Sequence, residues 1–141
     1  MVEPFSQSFL IEGRDFLNAG KASNEIKSIL KQLGINAAVI RRVAIAAYEA
    51  EMNVVMYAQK ATMAFHVTPQ VIKISVSDDG PGIPDIERAM REGYSTATRE
   101  MREMGFGAGM GLPNIKRNSD EFTIESEVGK GTRLGITINI N

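Results

Sequence analysis

Glu49 and Asn53 stand four positions apart in an alanine-rich stretch free of glycine and proline. After them come Asp78-Asp79-Gly80-Pro81-Gly82 and then Gly105-Phe106-Gly107-Ala108-Gly109-Met110-Gly111. On a helix, residues four apart are turned by only about 40°, so Glu49 and Asn53 project as neighbours. The asparagine supplies a neutral oxygen suited to magnesium. The glutamate supplies a carboxylate able to orient or deprotonate a nucleophile. Asp78 can only accept hydrogen bonds, which favours the exocyclic amine of adenine over the carbonyl of guanine. Gly80 and Gly82 beside it let the backbone turn and approach a flat ring. In the third group Gly105, Gly107, Gly109 and Gly111 leave amides free to cup an anion. Pro113, expected at the first position of a helix, adds a positive dipole end, and Lys116 a point charge. Taken singly, each group has an ordinary explanation: polar residues on a solvated helix, a tight turn after a strand, a hinge loop. In this order they supply what ATP requires.

The glycine-rich segment is not the lysine-bearing phosphate loop, because no Gly-Lys-Ser or Gly-Lys-Thr follows it. It is not the dinucleotide fingerprint either, since it does not open the helix of a βαβ unit. Polar and charged residues dominate between Tyr94 and Gly105, the composition expected of a lid. Other chemistries are poorly served. The chain has no cysteine, which removes disulfides, thiolate metal sites and a cysteine nucleophile. Its one histidine, His66, lies in a strand-like run without the partners that a metal site or a catalytic triad needs. Sixteen basic residues are balanced by seventeen acidic ones and scattered along the chain, so no field recruits nucleic acid or a membrane surface. Neither a signal sequence nor a run of about twenty apolar residues is found, and a cytoplasmic location is expected.

The elements that must position these residues follow from pattern and punctuation. A length of 141 residues suits one domain, 1–141, with a single core. Gln7 to Glu12 reads as a strand stopped by Gly13. Ile26, Ile29, Leu30 and Leu33 form the stripe of an amphipathic helix closed by Gly34. Asn36 is placed to cap a second helix running from Ala37 to about Tyr57. Val39, Val43, Ala46, Ala47, Ala50 and Val54 mark its buried face. Glu49 and Asn53 border that stripe, and Glu51 is expected on the opposite, solvent-facing side. Strands are expected at Ala61 to Val67 and Val71 to Ser77 around a Pro69 turn, and short helices at Asp85 to Arg91 and Leu112 to Asn118. A hairpin over Phe122 to Ser126 and Thr132 to Ile140 closes the chain. Helices come early and strands late, which predicts an α/β two-layer sandwich with a largely antiparallel, mixed sheet and helices on one face.

Glu49-x-x-x-Asn53, Asp78-x-Gly80-x-Gly82, Gly107-x-Gly109-x-Gly111 and Gly129-x-Gly131-Thr132 together resemble the four nucleotide-binding boxes of the GHKL superfamily, the gyrase, heat-shock chaperone, histidine kinase and MutL ATPases. Within it the chain is similar to the bacterial anti-sigma-factor and stressosome switch serine/threonine kinases. Gly80-Pro81-Gly82-Ile83-Pro84-Asp85-Ile86, Gly93-Tyr94-Ser95-Thr96, Gly111-Leu112-Pro113 and Lys116-Arg117 with Asp120-Glu121-Phe122 carry that likeness, which runs from about Ser8 to Ile138. The resemblance implies the Bergerat-type ATP-binding fold. It implies that Asp78 binds adenine N6 with Thr132 supporting it through water, that Asn53 holds magnesium, and that Glu49 is the general base. It further implies that Gly107, Gly109 and Gly111 close over the phosphates with Lys116 nearby. The implied activity is transfer of the ATP γ-phosphate to a serine or threonine of an anti-sigma-factor antagonist of the STAS fold. The rival is an ATP-dependent module that sequesters a sigma factor or activates a PP2C-type phosphatase without kinase activity. Either reading leaves room for a homodimer.

Overall fold

The computed structural model describes residues 4–91 and 111–140. Their elements run β1 (Phe5–Glu12), α1 (Lys21–Gln32), α2 (Ala37–Tyr57), β2 (Lys60–Val67), β3 (Val71–Asp78), α3 (Ile86–Ala89), α4 (Gly111–Arg117), β4 (Glu121–Glu127) and β5 (Gly131–Asn139). The five strands form one sheet in the order β1-β2-β3-β5-β4. The sheet was expected to be largely antiparallel, and all four pairings are antiparallel.

The alternation of the strands decides which face is covered. Ala61, Met63, Phe65 and Val67 of β2 are buried, as are Ile72, Ile74 and Val76 of β3 and Leu134, Ile136 and Ile138 of β5. The register stacks these residues in cross-strand rows such as Phe9, Met63, Val76, Leu134 and Ile124. At intervening positions Thr62, His66, Lys73, Ser75 and Arg133 are exposed. A slip of one residue would exchange the two sets, so burial of one face pins the register.

Helix α2 closes the covered side. It packs against α1, α4 and strands β1, β2, β3 and β5. Ala46, Ala47 and Ala50 are wholly buried, and their small side chains let neighbouring elements approach closely. Val43, Val54 and Val55 are buried beside them, each contributing about 1.5–3 kcal/mol. The buried surface is wider than the predicted stripe, taking in Ile40, Met52 and Met56 as well. Asn36 caps this helix as expected, its side-chain oxygen accepting from Ala38 N at 2.8 Å. The short helix α3 begins after Asp85, whose carboxylate caps it by accepting from Arg88 N.

Glu51 corrects the sequence reading. It is 2% exposed rather than solvent-facing. Its Oε2 accepts from Gly20 N at 3.0 Å and Ala22 N at 3.2 Å, and its Oε1 from Ser23 N at 2.9 Å. Those are the free amides at the start of α1, whose own N-cap, Gly20, has no side chain to offer. A carboxylate from a different helix therefore performs the capping, helped by the positive end of the α1 dipole. Local periodicity could not reveal this, because the partner lies about thirty positions away. Glu51→Ala is expected to leave three amides without an acceptor and to lower stability by about 3 kcal/mol or more, read as a shift in the urea midpoint. A change of a few tenths would show that α1 is held by its apolar face alone.

Candidate functional site

Three chain segments meet at the covered side of the sheet. Glu49 and Asn53 project from α2, and both are half-buried. The start of α4 lies over them. A Cβ placed on Gly111 would sit 3.4 Å from Glu49 Oε2 and 3.5 Å from Asn53 Oδ1. The two oxygens therefore face one small space beside the first residue of α4. That helix begins at Gly111, so Pro113 is its third residue and not its first. In the first turn its missing N–H costs no intrahelical bond.

Burial raises the affinity of the Glu49 carboxyl for its proton, and a hydrogen bond from the Asn114 side chain partly offsets the rise. The folded protein thus holds this proton more tightly than the unfolded chain. The linked contribution to stability is present at low pH and lost as pH rises through the raised value. A carboxyl held closer to neutrality is also better matched to taking up a proton in a reaction.

Asp78 ends β3, next to the start of β5. Its Oδ1 accepts from Gly80 N at 2.8 Å and from Thr132 N at 3.1 Å. Both bonds use the same oxygen, and among the described residues no donor engages Oδ2. Asp79 turns the other way: its Oδ1 accepts from Gln59 N and Lys60 N, and these bonds hold its carboxyl below the usual range. The adjacent aspartates are therefore not interchangeable. One ties the loop to the start of β2, and the other keeps an acceptor in reserve.

Ser126 was missed in the sequence and joins the loop to the final hairpin. Its Oγ accepts from Ile83 N at 2.7 Å, reaches Gly131 O at 3.1 Å and lies 2.8 Å from Thr132 Oγ1. Gly82 and Gly131 allow this close approach. Both have positive φ, +81° and +119°, and a Cβ on either would overlap backbone, at Glu127 O and Asp78 O respectively. Gly129 belongs to the same join, with its N–H donating to Pro81 O at 2.9 Å.

The parts lie in order along α2. Gly80 approaches Tyr57 O at the helix end, its virtual Cβ being 3.3 Å away. Eight residues separate Tyr57 from Glu49, about 12 Å at 1.5 Å per residue. The Asp78 end and the Glu49 end thus bracket an elongated site with Asn53 between them. Two oxygens facing one space suit a hard cation such as magnesium, which takes few protein ligands when phosphates supply the rest. Among the described residues no group of three or more acidic or histidine side chains forms a metal cage. Lys116 is exposed in the last turn of α4, and no contact draws it to Glu49 or Asn53. Gly107 and Gly109, and with them the expected lid, lie outside the described residues. No helix among the described residues is long and apolar enough to cross a membrane.

Residues 17–138 match the family model of the histidine kinase-like ATPase domain. The chain is 34% identical over 112 residues to the serine/threonine-protein kinase RsbT of Bacillus subtilis, covering 77% of this chain and 78% of that protein. It is 30% identical over 125 residues to an anti-sigma F factor of Caldanaerobacter subterraneus, covering 85% of this chain and 84% of that one. A crystal structure of the RsbU and RsbW domains of a Mycobacterium tuberculosis protein superposes with a TM-score of 0.60 at 15% identity. The match covers 96% of this chain and 32% of that one, a likeness of fold.

The glycines make a testable contrast. Gly82→Ala forces a methyl into the Glu127 carbonyl at a left-handed φ and is expected to destabilise the protein by about 1–3 kcal/mol. Gly111→Ala meets only ordinary contacts in a helical position and is expected to be neutral or stabilising by up to about 1 kcal/mol. Urea denaturation of both variants checks the pair. Equal losses would mean that α4 does not begin where the structure has it.

Proposed function

The chain belongs to the histidine kinase-like ATPase family, and from that premise we propose that it is an ATP-dependent serine/threonine protein kinase of a cytoplasmic partner-switching system. Its substrate in this reading is a small antagonist protein of the STAS fold, and magnesium accompanies the nucleotide. The observation that carries the reading is the convergence of Glu49 Oε2 and Asn53 Oδ1 on the start of α4, at one end of a site whose other end is Asp78. The 34% identity to a serine/threonine kinase over most of both chains supports it.

In this mechanism Asp78 Oδ2 accepts from the adenine N6 amine while Oδ1 stays fixed by Gly80 and Thr132. Asn53 Oδ1 would hold magnesium, which would neutralise phosphate charge, and Glu49 would face the γ-phosphate end of the nucleotide. A serine or threonine hydroxyl of the partner attacks phosphorus, the bond to the β,γ-bridging oxygen breaks, ADP leaves, and Glu49 takes the hydroxyl proton. Little covalent work falls to the protein, so rate comes from positioning and charge neutralisation. Gly107, Gly109, Gly111 and Lys116 complete the phosphate end in the proposal. Phosphorylation of the antagonist would release this protein to engage a second partner, a sigma factor or a PP2C-type phosphatase, as monomer or homodimer.

The rival reading, a sequestering module that uses ATP only as a structural ligand, draws on the 30% identity to an anti-sigma factor. Incubation with radiolabelled Mg-ATP and a purified antagonist protein of the STAS fold separates the two. Label on the antagonist supports the kinase, and its absence with intact complex formation supports the binder.

Two variants test the assignments. Asp78→Asn places a donor where adenine presents one and is expected to weaken ATP binding at least tenfold, since a lost charge-assisted bond is worth about 1.5–3 kcal/mol. Calorimetry that finds unchanged affinity would remove Asp78 from the base pocket. Glu49→Ala is expected to keep Mg-ATP affinity while transfer falls by about 10² to 10⁴. The wild-type rate should decline on the acid side with a midpoint above the ordinary glutamate value, because only the ionised form accepts the proton. Full activity of the variant would refute the base assignment.

A further inference from the structure

Ser126 spends the whole bonding capacity of its hydroxyl inside the protein. A serine hydroxyl has one proton and two lone pairs. Its Oγ accepts from Ile83 N at 2.7 Å and lies 3.1 Å from Gly131 O, an atom that can only accept. The single proton is therefore directed at Gly131. Thr132 Oγ1, at 2.8 Å, must then be the donor, because the one place left on Ser126 is a lone pair. The reverse assignment would set the Ser126 oxygen against the Gly131 carbonyl with no proton between them. The β4–β5 register puts Ser126 opposite Thr132, and both are half-buried on the face that carries Ile124 and Leu134. Thr132 in turn meets Asp78, which is also half-buried and whose Oδ1 takes the Thr132 N–H at 3.1 Å. Asp78, Thr132 and Ser126 thus lie side by side in one row.

We infer that Ser126 is a positioning residue that fixes the polarity of the Thr132 hydroxyl, and that this makes the Asp78 end of the site select a 6-amino purine over a 6-oxo purine. The inference rests on the reading of Asp78 as the acceptor for adenine and adds what excludes the wrong base. With its proton committed to Ser126, Thr132 Oγ1 has only lone pairs to offer a ligand. Asp78 Oδ2 has only lone pairs as well. An exocyclic amine meets two acceptors there, whereas a carbonyl meets them with no proton to share. One intervening water keeps the same polarity, since it donates to both Asp78 and Thr132 and turns a lone pair to the base. Were the Thr132 proton free to rotate, it would swing to the carbonyl and relax the discrimination. Ser126 therefore acts against the competing base by withholding a donor.

The test is calorimetry of the whole protein with Mg-ATP and Mg-ITP, which carry an amine and a carbonyl at the same purine position. The wild type is expected to prefer ATP. Ser126→Ala frees the Thr132 proton and is expected to narrow that preference by about threefold to tenfold, the worth of one hydrogen bond gained by ITP. Loosening of the Ile83 loop would weaken both nucleotides alike and so leaves the ratio untouched. In a Thr132→Val background, where no hydroxyl remains to rotate, Ser126→Ala should not change the ratio. An unchanged ratio in Ser126→Ala alone, or the same change in both backgrounds, would overturn the proposal. Should Ser126→Ala fail to fold, Thr132→Val alone still decides. A hydroxyl locked as an acceptor serves only ATP, so this variant should weaken ATP and leave ITP unaltered, and equal losses would overturn the polarity assigned to Thr132. Asp78→Asn separates the two levels of the reading. If it and the wild type bind ATP and ITP equally well, the base pocket itself is misplaced. A preference for ATP that depends on Asp78 but on neither Ser126 nor Thr132 overturns the proposal alone.

Discussion

The packing of α2 across the covered face of the sheet is the contact on which the other features depend. Its buried alanines and valines set its distance and rotation with respect to β1, β2, β3 and β5. Once that rotation is set, three polar side chains within five residues are committed to two different neighbours. Glu51 turns to the start of α1, while Glu49 and Asn53 turn to the start of α4. One helix thus caps a second and receives a third. A buried charge needs such a partner to be tolerated at all. Glu51 meets that demand fully, with three amides on two oxygens, whereas Glu49 meets it only in part and is left with its proton affinity raised. In the proposed mechanism, that incomplete satisfaction is what suits Glu49 to take up a proton.

A second constraint acts at the other end of the site, where the β3–β5 pairing brings Thr132 N against Asp78. Here the join is made by backbone and by hydroxyls. Gly82 and Gly131 permit main-chain approaches that any side chain would block, and Ser126 ties both segments together. The aspartate is therefore held from two sides through one oxygen. A fixed acceptor loses little freedom when a ligand arrives, which is the advantage of preorganisation.

Much of this arrangement was legible in the chain. The α2 boundaries, the Asn36 cap and the alternation of β2, β3 and β5 follow from local periods and caps, and the observed elements agree with them to within a few residues. Asp78, Glu49 and Asn53 stood out because their types and order match a known chemistry. What could not be read were pairings made by tertiary contact. Glu51 looked like a solvated glutamate because its three partners lie 28 to 31 positions away. Ser126 and Asn114 carried no signal, since a lone serine in a strand or asparagine in a helix gains a role only from what the fold sets opposite it. Pro113 was placed by a rule for first positions that extends to the whole first turn.

The strand order carries a temporal consequence. Because β5 inserts between β3 and β4, an interior position of the sheet is filled by the strand that comes last in sequence among the five. The bond from Thr132 N to Asp78 spans 54 positions. A nascent chain halted anywhere before residue 131 exposes the free edge of β3 and has nothing to steady Asp78. Such non-local closure is slow relative to hairpin formation and leaves an unpaired edge open to other chains in the interval. The Asp78 end of the proposed site is accordingly completed only once β5 has been made, and a product truncated before β5 would carry an open sheet edge prone to aggregation.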